Sequence, residues 1–246
     1  MTTTAVPVTS THLSGVFCDV DAAVAAAREA FLAFSDCFLA QRRTFIKAVR
    51  EAASQQERLE YMATAAVEET RMGNAHHKVL KNLYAATRTP GVEDLVMEAH
   101  QGDDGLTTLE YSPYGVIGAI TPTTNPTETI ICNTVGMLSA GNTVVFSPHP
   151  RARRLSAWLV DVLNRAMIEA GAPENLITLI AEPTPATTTA LINHPDITML
   201  VATGGPQIVN MVLSSGKKAI GAGSGNPPAV VDETADVAKA ASDIVQ

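Results

Sequence analysis

The chain has 246 residues, enough for one sizeable core in one large or two small domains. Hydrophobic residues make up 46% and charged residues 17%, the balance of a folded soluble protein rather than a disordered one. A formal net charge of −8 and a pI near 5.2 argue against nucleic acid or an anionic membrane surface as a partner, but not against a small anion held by backbone donors.

Residues 1–14 are rich in Thr and Ser and carry neither a basic n-region nor an apolar h-region, so a flexible leader is expected and a secretory signal is not. No apolar run approaches the roughly 18 residues that a bilayer span needs. The three cysteines, Cys18, Cys37 and Cys132, have no metal or redox spacing. Free thiols in a reducing cytoplasm are expected.

Residues 19–88 read as helical. Asp19 or Asp21 can cap a first helix whose apolar stripe includes Val24, Ala27, Phe31 and Phe34. A second helix begins near Ala40. Ser54-Gln55-Gln56-Glu57 has capping-box spacing and restarts the helix. Gly73 breaks it, and a further helix covers about 75–87 before Thr89-Pro90-Gly91 ends it. His76 and His77 are adjacent, cannot share one helical face, and make a poor metal site. "GDDG" at 102–105 marks a turn, and "LTTLEY" at 106–111 alternates as a strand does.

From Gly115 the rhythm becomes strand, helix, strand, helix. Short apolar strands are expected at 116–120, 143–146, 176–180, 198–202 and 229–232. The clearest helix between them is 152–170, ended by Gly171 and Pro173. An amphipathic helix is expected at 234–246. The fold class is α/β: an N-terminal helical segment, 15–110, then a Rossmann-like, doubly wound parallel sheet, 111–246. Ligands of such sheets sit at the carboxyl ends of the strands.

The first such end is "TPTTNP", 121–126. Pro122 and Pro126 stiffen it, and Asn125 offers an amide donor aimed in advance, as an oxyanion hole requires. The same residues equally suit a plain helix cap. The second is "SPHP", 147–150. Ser147 can bond a ribose, and His149 is either a general base or an ordinary loop histidine. The third is "TGGP", 203–206, where two glycines permit close backbone approach and Pro206 opens a helix. A phosphate or a carboxamide fits that helix N-terminus; so does a simple strand-to-helix turn. "GAGSGNPP" at 221–228 mimics a dinucleotide fingerprint but leads into "AVVD" and not into a helix, so a loop is expected there. Cys132 has no basic neighbour in sequence and reads as core.

Taken in order, "YSPYGVIGAITPTTNP", "AGNTVVFSPHP", "TGGP" and "IGAGSGNPPAVVDETAD" resemble the CoA-acylating aldehyde dehydrogenases, the propionaldehyde and acetaldehyde enzymes of bacterial microcompartments. "GVFCDVDAAVAAAREAF" and "TPGVEDL" extend the resemblance to nearly the whole chain from Gly15. It implies that Asn125 is the oxyanion-hole asparagine. It implies an NAD pocket built from Thr121, Pro122, Thr123, Thr124, Ser147, Pro148 and His149, with Thr203, Gly204, Gly205 and Gly223 also at the cofactor. Ser147 stands where hydrolytic relatives place a ribose-binding lysine. The 221–225 loop stands where they place the glutamate that activates water, and a thioester destined for CoA is better kept from activated water.

The implied reaction oxidises propanal or acetaldehyde with NAD and passes the acyl group from a cysteine thioester to coenzyme A. That cysteine and the catalytic domain follow the resembling region in the family. The expectation is therefore an inactive N-terminal half of a homo-oligomeric enzyme, with a microcompartment shell as a further partner. The competing expectation is a natural non-catalytic nucleotide-binding or assembly module.

Overall fold

A computed structural model describes residues 13–225 and 228–245. The leader expected at 1–14 lies outside these residues except for Leu13 and Ser14, and so do Asn226, Pro227 and Gln246. Among the described residues no helix is long and apolar enough to cross a membrane.

Four helices occupy the N-terminal part: α1 (Val20–Ser35), α2 (Leu39–Ser54), α3 (Gln56–Thr70) and α4 (Ala75–Arg88). Asp19 is the cap that starts α1, its carboxylate accepting from Ala22 N–H at 2.8 Å. The capping box expected at 54–57 does not form. Gln55 is the N-cap of α3 and makes no side-chain cap bond, while the Ser54 hydroxyl turns back to Glu51 O at 3.4 Å. The restart there comes from one extended residue, Gln55, at φ −62°, ψ 131°. A two-stranded antiparallel hairpin follows, β2 (Glu98–Gly102) with β3 (Gly105–Leu109), and both strands are exposed throughout. A short earlier strand, β1 (Val16–Phe17), belongs to the main sheet.

The remaining elements alternate as their composition dictates: β4 (Val116–Ile120), α5 (Pro126–Ser139), β5 (Thr143–Ser147), α6 (Arg153–Glu169), β6 (Ile177–Ile180), α7 (Pro185–Asn193), β7 (Met199–Thr203), α8 (Pro206–Leu213), β8 (Lys218–Ala222) and α9 (Val237–Val245). The six-stranded sheet is parallel throughout, in the order β1-β6-β5-β4-β7-β8. β4, β5 and β6 are buried along their whole length, as apolar runs covered on both faces must be. Alternate residues feed opposite layers. Val144 and Phe146 join a core with α2, α3, α5 and α6, whereas Val145 joins a second core with α1, α7 and α8.

Two expectations fail in the last quarter. Residues 229–232 form no strand: Val230 is 92% exposed and has no sheet neighbour. The sixth strand is instead β8, whose "KAIGA" is too polar and glycine-rich to be recognised as an apolar run. Gly221 was expected in a loop but lies in that strand. A Cβ there would meet Val209 Cγ1 at 2.7 Å, so glycine lets α8 pack against the sheet edge.

The order of the strands fixes where a ligand belongs. From β4 the chain steps through α5 to β5 and through α6 to β6, then returns through α7 to β7 on the other side of β4. The sheet therefore reverses direction between β4 and β7. The loops leaving those two strands, 121–125 and 204–205, open the crevice at that switch point.

Candidate active site

The loop after β4 divides two cavities. Thr121, its first residue, lines a cavity of about 360 Å³ with Ser147, Pro148, His149, Thr184, Thr188 and Ile208. Asn125, its last, lines a cleft of about 830 Å³ whose walls come from α4 and α5. The candidate residues named from sequence therefore divide between two sides. Thr121, Ser147, Pro148 and His149 meet in the smaller cavity, and Asn125 meets Thr203 in the larger cleft. Pro122, Thr123, Thr124, Gly204, Gly205 and Gly223 line neither.

The smaller cavity is lined by hydroxyl and imidazole groups at the ends of β4 and β5. Thr121 is 2% exposed, and its hydroxyl has no partner among the described residues. A buried hydroxyl costs free energy until something bonds it. Its backbone is fixed, since Thr121 N–H donates to Ser147 O at 3.1 Å across the strand ends. The Ser147 hydroxyl lies 3.3 Å from Thr188 Oγ1, so a ribose hydroxyl would have to share it. His149 Nδ1 accepts from Arg151 N–H at 3.1 Å and so caps the short 3-10 turn at Pro150–Ala152. Burial, assisted by the Arg151 charge, lowers the imidazole pKa below its ordinary value. The ring is thus a neutral cap, and the general-base alternative loses one of its two nitrogens.

The helix N-termini around this crevice differ in a way that matters. Glu69 closes the start of α6, accepting from Arg154 N–H and Leu155 N–H at 2.9 Å each. Thr184 closes α7. At α8 the N-cap is Gly205, which has no side chain to offer, and Pro206 follows at N1. Gly205 has nothing within 4 Å of where a Cβ would lie. No side chain caps the first N–H groups of α8, and an uncapped helix N-terminus is a favourable place for an anionic phosphate.

In the larger cleft, Asn125 is the N-cap of α5 by position but makes no side-chain cap bond. The work of starting the helix falls to backbone and to Thr129, whose N–H and Oγ1–H both donate to Asn125 O, at 3.1 and 2.6 Å. The amide is therefore not spent on capping. Its Oδ1 accepts from Lys81 Nζ of α4. Its Nδ2 has only a long contact, 3.5 Å, to Thr124 Oγ1.

The rest of the cleft is mostly apolar: Leu80, Tyr84, Ala85 and Pro90 on one side, Cys132 with Glu128, Thr129 and Asn133 on the other. Cys132 packs against the core, as read from its neighbours, but it also faces the cleft, with Sγ 3.1 Å from Thr89 Oγ1. Arg50 steadies this wall by donating to Ala86 O at 3.0 Å and Thr89 O at 2.7 Å, the carbonyls at the end of α4.

The contribution of α4 was missed from sequence. Its signal was available: Leu80, Tyr84 and Arg88 recur four residues apart, with Lys81 and Ala85 beside them, so one face mixes apolar and cationic groups. Lys78, three residues before Lys81, is 2% exposed and donates to Thr124 O at 2.8 Å. Burial lowers its pKa, with Glu128 opposing the shift and Lys81 adding to it.

Residues 5–246 match the profile of the aldehyde dehydrogenase family. The chain is 48% identical, over 231 residues, to the CoA-propanoylating propanal dehydrogenase of Salmonella typhimurium, covering 94% of this chain and 49% of that protein. A crystal structure of propionaldehyde dehydrogenase from Rhodopseudomonas palustris with bound propionyl-CoA superposes with a TM-score of 0.89 at 57% identity, over 95% of this chain and 52% of that one. An engineered glycolyl-CoA reductase with bound NADP+ gives 0.89 at 56%, over 95% of this chain and 53% of that one. The chain spans about half the length of the relatives it matches. Its six-stranded parallel sheet, its switch-point crevice and its profile match agree: the chain belongs to the aldehyde dehydrogenase family.

Proposed function

We infer that this chain forms the nucleotide-binding and oxyanion-stabilising part of a CoA-acylating aldehyde dehydrogenase, which converts propanal or acetaldehyde to its acyl-CoA. The observation that carries this reading is the split of one five-residue loop between two cavities. Thr121 faces a nucleotide-sized cavity and Asn125 an apolar cleft, so the loop brings a dinucleotide and a small aldehyde to adjacent positions.

Bound NAD would supply the hydride acceptor. The chain's own residues bind and orient. Thr121 Oγ1, Ser147 Oγ and the α8 N-terminus at Gly205 hold the nucleotide, with Thr203 and Gly204 shaping the approach. Asn125 Nδ2 meets the aldehyde oxygen as the carbonyl carbon becomes tetrahedral and charge moves onto that oxygen. A donor fixed beforehand stabilises the developing charge more than a mobile one. The apolar cleft keeps water away and suits a short alkyl chain.

None of the three cysteines fits the nucleophile. Cys18 is exposed and lines neither cavity. Burial raises the Cys37 thiol pKa. Cys132 sits about two helical turns beyond Asn125 with its sulfur against Thr89. The nucleophile of this reaction is therefore not assigned to any of the three.

The test has two parts. The 246-residue chain is titrated with NAD while Trp158 emission is followed, and saturable binding is expected. The enzyme that carries this chain together with its cysteine is then assayed for NADH formation from propanal. Formation that depends on CoA supports the reading. NADH formed at the same rate without CoA, with release of the free acid, overturns acyl transfer. NAD binding with no aldehyde-dependent turnover favours the non-catalytic module.

A further inference from the structure

We propose that Lys81 is a positioning residue that decides which edge of the Asn125 amide faces the substrate; this rests on the reading of Asn125 as the oxyanion donor. An asparagine amide is nearly symmetric in shape but opposite in function at its two ends. Turned one way it donates to a developing oxyanion. Turned the other it presents an oxygen and repels one. Asn125 makes no side-chain cap bond that would distinguish the two.

Lys81 does distinguish them. An ammonium has three donors and no acceptor, so it can bond only the oxygen end of the amide. In the structure Lys81 Nζ donates to Asn125 Oδ1. Nδ2 is thereby left as the free edge, beyond its 3.5 Å contact with Thr124 Oγ1. The ammonium also withdraws electron density through the amide, which makes the Nδ2 hydrogens stronger donors.

A second lysine of the same helix holds the backbone. Lys78 Nζ donates to Thr124 O at 2.8 Å, and that carbonyl belongs to the peptide bond entering Asn125. Helix α4 thus grips Asn125 at two points, through residues three apart on one face. Lys78 is buried, and α4 packs against α5, so the anchor is part of a packed region. Lys81 is exposed to the cleft. Its substitution removes the amide's orientation without opening the core.

The direct test reads the amide itself in the 246-residue chain. With asparagine labelled in 15N, the side-chain pair of Asn125 is assigned by its loss in Asn125→Asp. In Lys81→Met that pair should shift and its hydrogen exchange should speed up, while the Asn82 and Asn142 pairs stay in place. Lys81→Arg, which also donates without accepting, should restore the pattern. An unmoved Asn125 pair in Lys81→Met overturns the proposal.

A kinetic cycle in the enzyme carrying its cysteine separates this idea from the one beneath it. Lys81→Met should lower kcat about tenfold to a hundredfold with little change in the KM for NAD. In the Asn125→Ala background it should cost almost nothing more, because it acts through Asn125. Additive losses overturn the proposal while leaving Asn125 in its role. If Asn125→Ala alone leaves kcat unchanged, the oxyanion reading fails instead, whatever the NMR result.

Discussion

Glu69 ties α3 to the start of α6, and removing it gives a sharp test of the architecture. Its carboxylate lies on α3 and accepts two N–H groups at the start of α6, from Arg154 and Leu155, each at 2.9 Å. These are orphan donors of a helix N-terminus bonded to an anion, so each bond is worth roughly 1.5–3 kcal/mol. In Glu69→Ala the Arg154 amide, on the exposed side, regains water, whereas the half-buried Leu155 amide regains little. One bond is then lost in full and the other in part, for a total of about 2–4 kcal/mol. Glu69→Gln keeps one acceptor without its charge and should lose about 1 kcal/mol.

The control is Arg154→Ala. The Arg154–Glu69 ion pair is long, 3.8 Å, and the arginine side chain is 82% exposed, so its removal should cost under about 0.5 kcal/mol. The assay is urea unfolding followed by Trp158, which is buried on α6 with its ring 4.5 Å from Tyr61 of α3. It therefore reports the α3–α6 contact that Glu69 joins. The midpoint should fall with an unchanged slope. A loss of less than about 0.5 kcal/mol in Glu69→Ala, or a loss in Arg154→Ala equal to it, would refute the capping argument.

Three further outcomes are expected. Asn125→Ala, in the enzyme with its cysteine, should lower kcat by roughly 10²–10³-fold with nearly unchanged NAD affinity, as measured by steady-state kinetics and nucleotide titration. Gly118→Ala should destabilise the chain by about 1–3 kcal/mol in urea. The reason is steric: a Cβ on β4 would meet Leu200 Cδ2 at 2.9 Å and Ile197 Cγ2 at 3.2 Å. His149 should show in a pH profile of stability. Its folded pKa is lowered by burial and Arg151, so the unfolded chain binds the proton more readily. The wild type should lose stability relative to His149→Gln as pH falls through the ordinary imidazole range, with the loss levelling off below the folded pKa. A constant difference from about pH 8 to pH 5 would show that the ring is not held neutral.

The strands that build the crevice were legible because burial on both faces leaves a continuous apolar run. "VIGAI" and "TVVF" have no polar residue pointing to solvent because neither face meets solvent. The edge strands were not legible for the converse reason. β8 is partly exposed along its length and carries Lys218 and Gly221, and β1 is two residues long. "AVVD" has strand composition but no neighbour to pair with among the described residues. At the site, sequence singled out Asn125 and Thr121 as candidates but could not choose between a capping amide and a free one. That choice is made by Lys81, 44 residues away. Thr203, expected at the cofactor, lines the cleft beside Asn125. A strand end has two sides, and only the packing of α4 against α5 determines which is which.

The loop between Thr121 and Asn125 is held by neighbours at both ends and by its own chemistry between them. Thr121 N–H is tied to β5 through Ser147 O, and Thr124 O is tied to α4 through Lys78. Pro122 follows the first anchor, and Pro126 fixes φ after the second. A backbone shift that carried Asn125 away from the cleft would have to break the Lys78 bond to Thr124 O and leave a buried ammonium without it. That cost, of the order of a lost charged hydrogen bond, is about 1.5–3 kcal/mol and opposes any drift of the donor. Preorganisation here is therefore not a property of the loop sequence alone. Three threonines and two prolines make a stiff segment, but α4 sets the direction in which it is stiff. A segment transplanted without Lys78 and Lys81 would keep its prolines and lose its aim.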